Sequence, residues 1–275
     1  MNFFKILTDS FFNLISIMGI FMFFGLIFNI IEEKNNQLLQ KTFGVKSIIF
    51  TGFIGTVVHE LSHLIMALLF NHKIIAVELF RPKKYKNDGV LGFVKHTYNS
   101  KSLYQQIGNF FIGIAPMIFG TFFIWVLLIL LSNNSYQTFI SNLNINLYNH
   151  LIKSYDFYNL LKLLFNDIFN FIKTILSFNY LFNIKHLILL FLIYSITTHM
   201  SLSLSDLKGS LKGLSVCFLV IFIITFLNNV LGLYNIFTST FVLKVNIYIL
   251  LFLSVGLVFS FITLLISFLL YIVKK

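Results

Sequence analysis

The chain alternates long apolar runs with short polar segments, and the length of each run predicts the element that it forms. Several runs without charged residues exceed the roughly 18 to 20 residues that a helix needs to cross a bilayer. They predict an all-α polytopic membrane protein with about six transmembrane helices in a single membrane domain. The predicted spans are residues 11–31, 48–70, 107–131, 186–204, 214–231 and 245–273.

The segment between the second and third spans has a different pattern. β-branched and aromatic residues are frequent at positions 74–80 and 90–98, and such runs favour strands. Between them, Pro82 and the turn sequence Asn87-Asp88-Gly89 predict a turn and no helix. We therefore expect a small β-hairpin at the membrane surface. It is either an ordinary basic connection or an exposed strand edge that pairs with an extended substrate.

A helix predicted for residues 157–178, before the fourth span, is also unusual. Its polar residues recur every three or four positions and form a narrow stripe on a mostly apolar surface. The stripe consists of Asn159, Lys162, Asn166, Asn170, Lys173 and Ser177. We expect this helix to lie in the membrane interface with its apolar face towards the lipid, and an additional, poorly hydrophobic span is the alternative.

Composition agrees with this architecture and narrows the function. Hydrophobic residues make up 58% of the chain and charged residues only 11%, which excludes a soluble domain. The net charge of +11 is spread over the loops, which indicates contact with anionic lipids and argues against nucleic-acid binding. The side that holds both termini has more Lys and Arg, so we predict a multi-pass cell-membrane protein with cytoplasmic termini. The single cysteine, Cys217, excludes an intrachain disulfide and a cysteine-based zinc site.

The candidate chemistry lies in the second span, in the sequence His59-Glu60-Leu61-Ser62-His63. Positions i and i+4 share one face of a helix, so both histidines can bind the same metal ion. Glu60 is close enough to act as general base on a metal-bound water without being a ligand. Ionisable groups in the middle of a span are costly and often functional. Gly52 and Gly55, just before the motif, predict close helix packing near it.

A catalytic zinc ion needs a third protein ligand, and the chain has few candidates. Most of its nine acidic residues fall in predicted loops or in the interfacial helix: Asp9, Glu32, Glu33, Glu78, Asp88, Asp156 and Asp167. Apart from Glu60, this leaves Asp206, at the end of the fourth span. His199 and Ser203 share its helical face if that span continues. We predict Asp206 as the ligand and His199 as a supporting group or an alternative ligand.

These residues resemble the site-2-protease family of intramembrane zinc metalloproteases. Members carry H-E-x-x-H on one span and a short Asp-Gly motif two spans later, to which Leu204-Ser205-Asp206-Leu207-Lys208-Gly209 is similar. Here two residues separate Asp206 from Gly209, which leaves His199 open as a ligand. The hairpin after the motif and Gly113-Ile114-Ala115-Pro116 in the third span are also similar. The resemblance covers a protease core of residues 48–209 and looks like the small bacterial six-span branch without a PDZ domain.

The resemblance implies one Zn²⁺ per chain and hydrolysis of a peptide bond in a membrane protein, by Glu60-assisted attack of a zinc-bound water. It implies a single-span substrate in the lipid bilayer, regulated intramembrane proteolysis and a regulatory membrane partner. Three further residues are candidates for contacts with the substrate: Asn109, Gly92 and Phe93.

Two other functions fit the same motif. The first is a membrane-embedded gluzincin-type protease with a cytoplasm-facing site, in which Glu78 is the third ligand. The second is a zinc-binding or zinc-transporting membrane protein without catalytic activity. A transporter would need a series of sites across the bilayer, and the sequence offers one His-Glu-His site.

Overall fold

The computed structural model describes residues 3–176, 183–233 and 235–275, without the side chains of residues 133 and 135. A π-helical turn joins the first two helices, and a single 3₁₀ turn precedes the last. The helices are α1 Phe3–Leu14, α2 Ile20–Phe43, α3 Val45–Leu69, α4 Pro82–Asp88, α5 Leu103–Gly113, α6 Ala115–Asn142, α7 Ile145–Lys153, α8 Phe157–Ile175, α9 Ile184–Thr197, α10 Leu204–Leu231 and α11 Thr240–Lys274. The strands are β1 Lys73–Glu78 and β2 Phe93–Thr97.

Among the described residues, five helical stretches are long and apolar enough to cross a membrane, which indicates a multi-pass membrane protein. These stretches are Phe3–Phe43, Val45–Leu69, Ala115–Ser132, Leu204–Leu231 and Thr240–Lys274. Helix α9 corresponds to the predicted fourth span, but it has only 14 residues. The count of six spans and the side on which the termini lie therefore stay predictions.

The third predicted span is two helices instead of one. Helix α5 ends at Gly113 and α6 begins at Ala115, with Ile114 between them outside the helical region. Pro116 lies in the first turn of α6. N–H groups in this turn have no acceptor within the helix, so the proline costs no helical hydrogen bond. A Cβ atom on Gly113 would overlap the Ser210 hydroxyl, so this glycine lets α5 approach α10 closely.

The fourth predicted span also ends early. Helix α9 ends at Thr197, residues 198–203 are not helical, and α10 begins at Leu204. The expected loop at residues 205–213 is therefore helical. Ser203 is the N-cap of α10: its hydroxyl accepts a hydrogen bond from the Asp206 amide, and the Asp206 carboxylate accepts one from the Ser203 amide. Because this capping box starts a new helix, His199 and Asp206 do not share one helical face.

The predicted β-hairpin is confirmed. Strands β1 and β2 pair antiparallel, with Lys73 opposite Thr97 and Glu78 opposite Phe93. The connection differs from expectation because it contains the short helix α4. Pro82 is compatible with a helix here because it occupies the first turn, and Gly89 ends the helix with φ of 70°.

Helix α8 matches the expected helix to Ile175, and the end of the prediction at residues 177–178 lies outside the described residues. One apolar face packs on α6, α7 and α11, with Phe171 and Ile175 buried. A second apolar row stays exposed: Phe157, Leu161, Phe165 and Phe169. Only part of the helix is therefore available for lipid contact, and its place in the interface stays a prediction.

Helix α3 has the central position in the fold. It contacts α2, α5, α6 and α9 as well as both strands. The largest group of buried apolar residues lies among the long helices, with Leu189 and Ile193 of α9 and Ile124 of α6 fully enclosed. The motif on α3 is thus reached by the ends of several elements at once.

Candidate metal centre

Helix α3 places His59 and His63 one turn apart on the same face, and their Nε2 atoms are 3.1 Å from each other. Asp206 Oδ1 lies 3.5 Å from His63 Nε2. One ligand atom from each of the three residues lies within 4.8 Å of the others. In the part of the chain that the structure describes, no other group of three His, Cys, Asp or Glu residues has this arrangement.

The two imidazole rings are held in one tautomer by backbone carbonyls. His59 Nδ1 is 2.8 Å from the carbonyl oxygen of His199, and His63 Nδ1 is 2.8 Å from that of Ile112. Since a carbonyl oxygen can only accept, both Nδ1 atoms donate and both Nε2 atoms carry the lone pair. Two such lone pairs at 3.1 Å, beside a carboxylate oxygen, repel one another unless a cation or a proton lies between them.

These carbonyls are available because two helices end beside α3. Ile112 lies in the last turn of α5, and His199 follows the end of α9. The Ile112 carbonyl is one of the last of its helix and the His199 carbonyl lies in the non-helical segment after α9, so both can accept hydrogen bonds from the histidine rings. The two helix breaks that the hydrophobic pattern did not predict therefore orient the candidate ligands.

Asp206 is oriented by the cap of α10. Its Oδ2 atom accepts hydrogen bonds from the Ser203 amide at 2.9 Å and the Ser203 hydroxyl at 2.6 Å. This leaves Oδ1 directed towards His63. Two imidazole nitrogens and one carboxylate oxygen match the three-ligand sets of catalytic zinc sites, so the donor chemistry fits the ion that the motif predicts.

Glu60 lines a cavity of about 260 Å³ together with His59. Its side chain is buried, with the residue only 9% exposed. The hairpin covers it closely, because a Cβ atom on Gly92 would lie 2.7 Å from Glu60 Cγ. Among the described residues, the Glu60 carboxylate has no hydrogen-bond partner, so it is available to a molecule in the cavity.

The ring of His199 faces away from the three ligand atoms. Its Nδ1 atom lies 3.0 Å from Glu32 Oε1, while its carbonyl oxygen holds His59. The predicted close packing near the motif is present: a Cβ atom on Gly52 would lie 2.8 Å from His199 Nε2, and one on Gly55 would overlap the Ser195 carbonyl oxygen. This geometry matches the supporting role of His199 and not the alternative role as a ligand.

The three candidates for substrate contact lie in different places. Gly92 lines the cavity beside Glu60. Asn109 is buried on α5, one turn before the Ile112 carbonyl that holds His63. Phe93 lies beneath two cationic side chains, with the Arg81 guanidinium 4.9 Å and the Lys95 ammonium 5.1 Å from its ring centre. Gly92 is the one of the three that borders the cavity.

Glu78, the ligand of the gluzincin-type alternative, is engaged elsewhere. Its carboxylate lies 2.7 Å from Lys84 Nζ and 3.8 Å from Arg81 Nε. It does not belong to the group of possible ligands that contains His59, His63 and Asp206. The geometry therefore favours Asp206 over Glu78 as the third ligand.

Glu32 borders the cavity, although the sequence analysis placed it in a loop after the first span. Helix α2 continues to Phe43, so Glu32 and Asn36 lie one turn apart and both line the cavity. Their i and i+4 spacing is the signal that could have revealed this polar face. Because the first span was predicted to end at residue 31, Glu32 and Asn36 were not assigned to a helix.

Two hairpin histidines form a second polar cluster next to the site. His72 Nε2 donates to the Gln105 carbonyl at 2.8 Å, and the Nδ1 atoms of His72 and His96 are 2.9 Å apart. Burial lowers the pKa of His72. Burial, followed by the charges of His72 and His63, lowers the pKa of His96 to about 4. Both rings are therefore neutral in the folded protein near pH 7.

We expect the folded protein to lose stability between pH 6.5 and pH 4. His96 takes up a proton at its usual pKa of 6.5 when the chain unfolds, but only near 4 when it is folded. The unfolded state binds more protons in this window, so the unfolding free energy falls as the pH falls. Thermal unfolding in detergent at pH 7 and pH 5 measures this effect. His96→Asn should reduce the pH dependence, whereas replacement of the exposed His150 by Asn should preserve it.

Comparison with models of protein families, with curated proteins and with solved structures found no match to this chain. The resemblance to site-2 proteases therefore rests on the motif residues. The geometry of the candidate metal centre provides an independent basis for a functional proposal.

Proposed function

We propose that the protein is an intramembrane zinc metalloprotease that binds one zinc ion per chain through His59, His63 and Asp206. The observation that carries this proposal is the convergence of two oriented imidazole lone pairs and a carboxylate oxygen within 4.8 Å, on helices apolar enough to cross a membrane. Three protein ligands leave a coordination position open, as in catalytic zinc sites. The Glu60 carboxylate, which has no hydrogen-bond partner among the described residues, borders the same site, as hydrolysis requires.

A bound zinc ion would supply a Lewis acid that polarises the scissile carbonyl and increases the acidity of water. The Glu60 carboxylate would accept a proton from the attacking water and return it to the amine that leaves. The carbonyls of Ile112 and His199 keep both Nδ1 protons in place, so the imidazoles remain neutral ligands throughout. Ser203 holds the Asp206 carboxylate in its orientation. Hydrolysis of one peptide bond in this way consumes one water and gives one new carboxylate and one new amine.

The substrate is a membrane protein with a segment that can unwind from its helix. The hairpin supports this choice because the stretch from Gly89 to Gly92 borders the cavity and lies over Glu60. An extended peptide can form backbone hydrogen bonds with an exposed segment of this type. The peptide bonds of such an extended segment are accessible, whereas those inside a helix are not. A single-span protein is the simplest such substrate.

We expect metal removal to abolish cleavage. Purified protein in lipid vesicles would be stripped of metal with a chelator and supplied with a single-span reporter protein. Peptide release should disappear with the loss of zinc and return when about one equivalent of zinc per chain is added. Cleavage by the metal-free protein would contradict the proposal. Stoichiometric zinc binding without hydrolysis of any single-span reporter would favour the non-catalytic alternative.

A further inference from the structure

The cavity beside Glu60 is acidic, in contrast to the chain as a whole. The protein has a net charge of +11, yet Glu32 and Glu60 line the cavity and none of the described residues that line it is Lys or Arg. His59 and His199 also line it, and a zinc ion on the proposed ligands would add two positive charges, which the Asp206 and Glu60 carboxylates would balance. The Glu32 carboxylate then remains as an unbalanced negative charge in a concave site with low-dielectric walls, where its field is concentrated. The cavity therefore attracts a positively charged group.

Glu32 has one oxygen engaged and one free. Its Oε1 atom accepts a hydrogen bond from His199 Nδ1 at 3.0 Å, which fixes the orientation of the carboxylate. Its Oε2 atom is buried and makes no hydrogen bond of acceptable length and angle with the described residues, although the Ser201 hydroxyl lies beside the carboxylate. A buried charged oxygen without a donor carries a desolvation cost, which a donor from a bound molecule would remove.

His199 approaches only one oxygen of this carboxylate. Its Nδ1 atom lies 3.0 Å from Oε1, and its Nε2 atom packs against Gly52. Tyr85 also lines the cavity, and burial followed by the charge of Glu32 raises the pKa of its hydroxyl. Tyr85 is therefore a neutral hydrogen-bonding group and an aromatic wall, and the negative charge stays on Glu32.

We propose that Glu32 recognises a Lys or Arg side chain of the substrate, close to the bond that is cut. The inference rests on the proposed protease function and names its substrate class. Lys and Arg are rare in the middle of transmembrane helices and are found near their ends, where the side chain reaches the membrane interface. The bond that is cut therefore lies near the end of the substrate's span, where a basic flanking residue can reach the cavity.

The test uses pairs of single-span peptides in vesicles of neutral phosphatidylcholine, so that lipid charge does not attract the basic peptide. The two peptides of a pair are identical except for Lys or Gln at one position, which is varied along the residues that flank the cut. With the wild-type protein, Lys at one position should raise kcat/KM about 10-fold or more, mainly through KM. Glu32→Gln should reduce the preference to about twofold. The glutamine side-chain oxygen can still accept a hydrogen bond from His199, but the side chain no longer carries a negative charge.

Glu33→Gln is the matched control. Glu33 is the next residue of α2, it is exposed, and its carboxylate accepts a hydrogen bond from Asn29 instead of lining the cavity. This variant removes the same charge and should keep the full preference for Lys. An equal loss in Glu33→Gln, or equal cleavage of both peptides by the wild-type protein, would overturn the inference and leave the protease function standing.

One further arm separates the remaining outcomes. Binding of the same peptides to the Glu60→Gln protein is measured without cleavage. The Glu60→Gln protein should bind the Lys peptide more tightly than the Gln peptide, and adding Glu32→Gln should remove this difference. If that result came with no cleavage by the wild-type protein, it would support the recognition and refute the protease function. Equal binding of both peptides would refute the recognition.

Discussion

Replacement of Glu60 by glutamine should abolish peptide-bond hydrolysis while zinc remains bound. Glutamine has nearly the same shape, so it fits beneath Gly92, where a Cβ atom would lie 2.7 Å from the Cγ atom of residue 60. It cannot accept a proton from water at neutral pH. General-base catalysis contributes about 10²- to 10⁴-fold to hydrolysis, so kcat should fall by at least this factor. The measurement pairs cleavage of a single-span reporter with the zinc content of the same sample.

Glu33→Gln is the control for this experiment, because it removes an exposed carboxylate on another helix. It should retain both zinc and activity. Full activity of the Glu60→Gln protein would refute the mechanism. Loss of zinc together with activity would instead show that Glu60 helps to hold the ion.

Replacement of Asp206 by asparagine should release the metal. The asparagine side-chain oxygen can still accept the hydrogen bonds from the Ser203 amide and hydroxyl, so the cap of α10 is preserved. The anionic oxygen next to His63 is lost. Removal of a group that merely orients a ligand weakens metal affinity about 10- to 100-fold, so loss of a ligand should weaken it by more than about 100-fold. Competition with a fluorescent zinc chelator measures the change.

Glu78→Gln tests the competing ligand in the same assay. Its carboxylate pairs with Lys84 and Arg81, so its removal should leave the zinc affinity within about twofold and alter only the hairpin. If Glu78→Gln released zinc and Asp206→Asn retained it, the third ligand would be Glu78 and the gluzincin-type arrangement would replace the one proposed here.

The sequence by itself determined the features that depend on local spacing. His59 and His63 lie one turn apart on any helix, so their side chains share one face whatever surrounds them. The long apolar runs predicted membrane-type helices, because a helix satisfies its own backbone groups in lipid and needs about 20 apolar residues to cross it. The β-branched and aromatic residues on both sides of a turn signal predicted the pairing of β1 with β2. Each of these signals needs only neighbours in the chain.

Only the tertiary structure decided how the rest of the site is assembled. Hydropathy is blind to a helix break inside an apolar run, so it joined α5 to α6 and extended α9 past Thr197. Those breaks release the carbonyls that orient both histidines, and they begin a new helix at Leu204 with Asp206 in its first turn. The charge of Glu32 ended a predicted span, although α2 continues and carries that residue into the cavity. These contacts join residues far apart in the chain, so their energies depend on packing and not on sequence spacing.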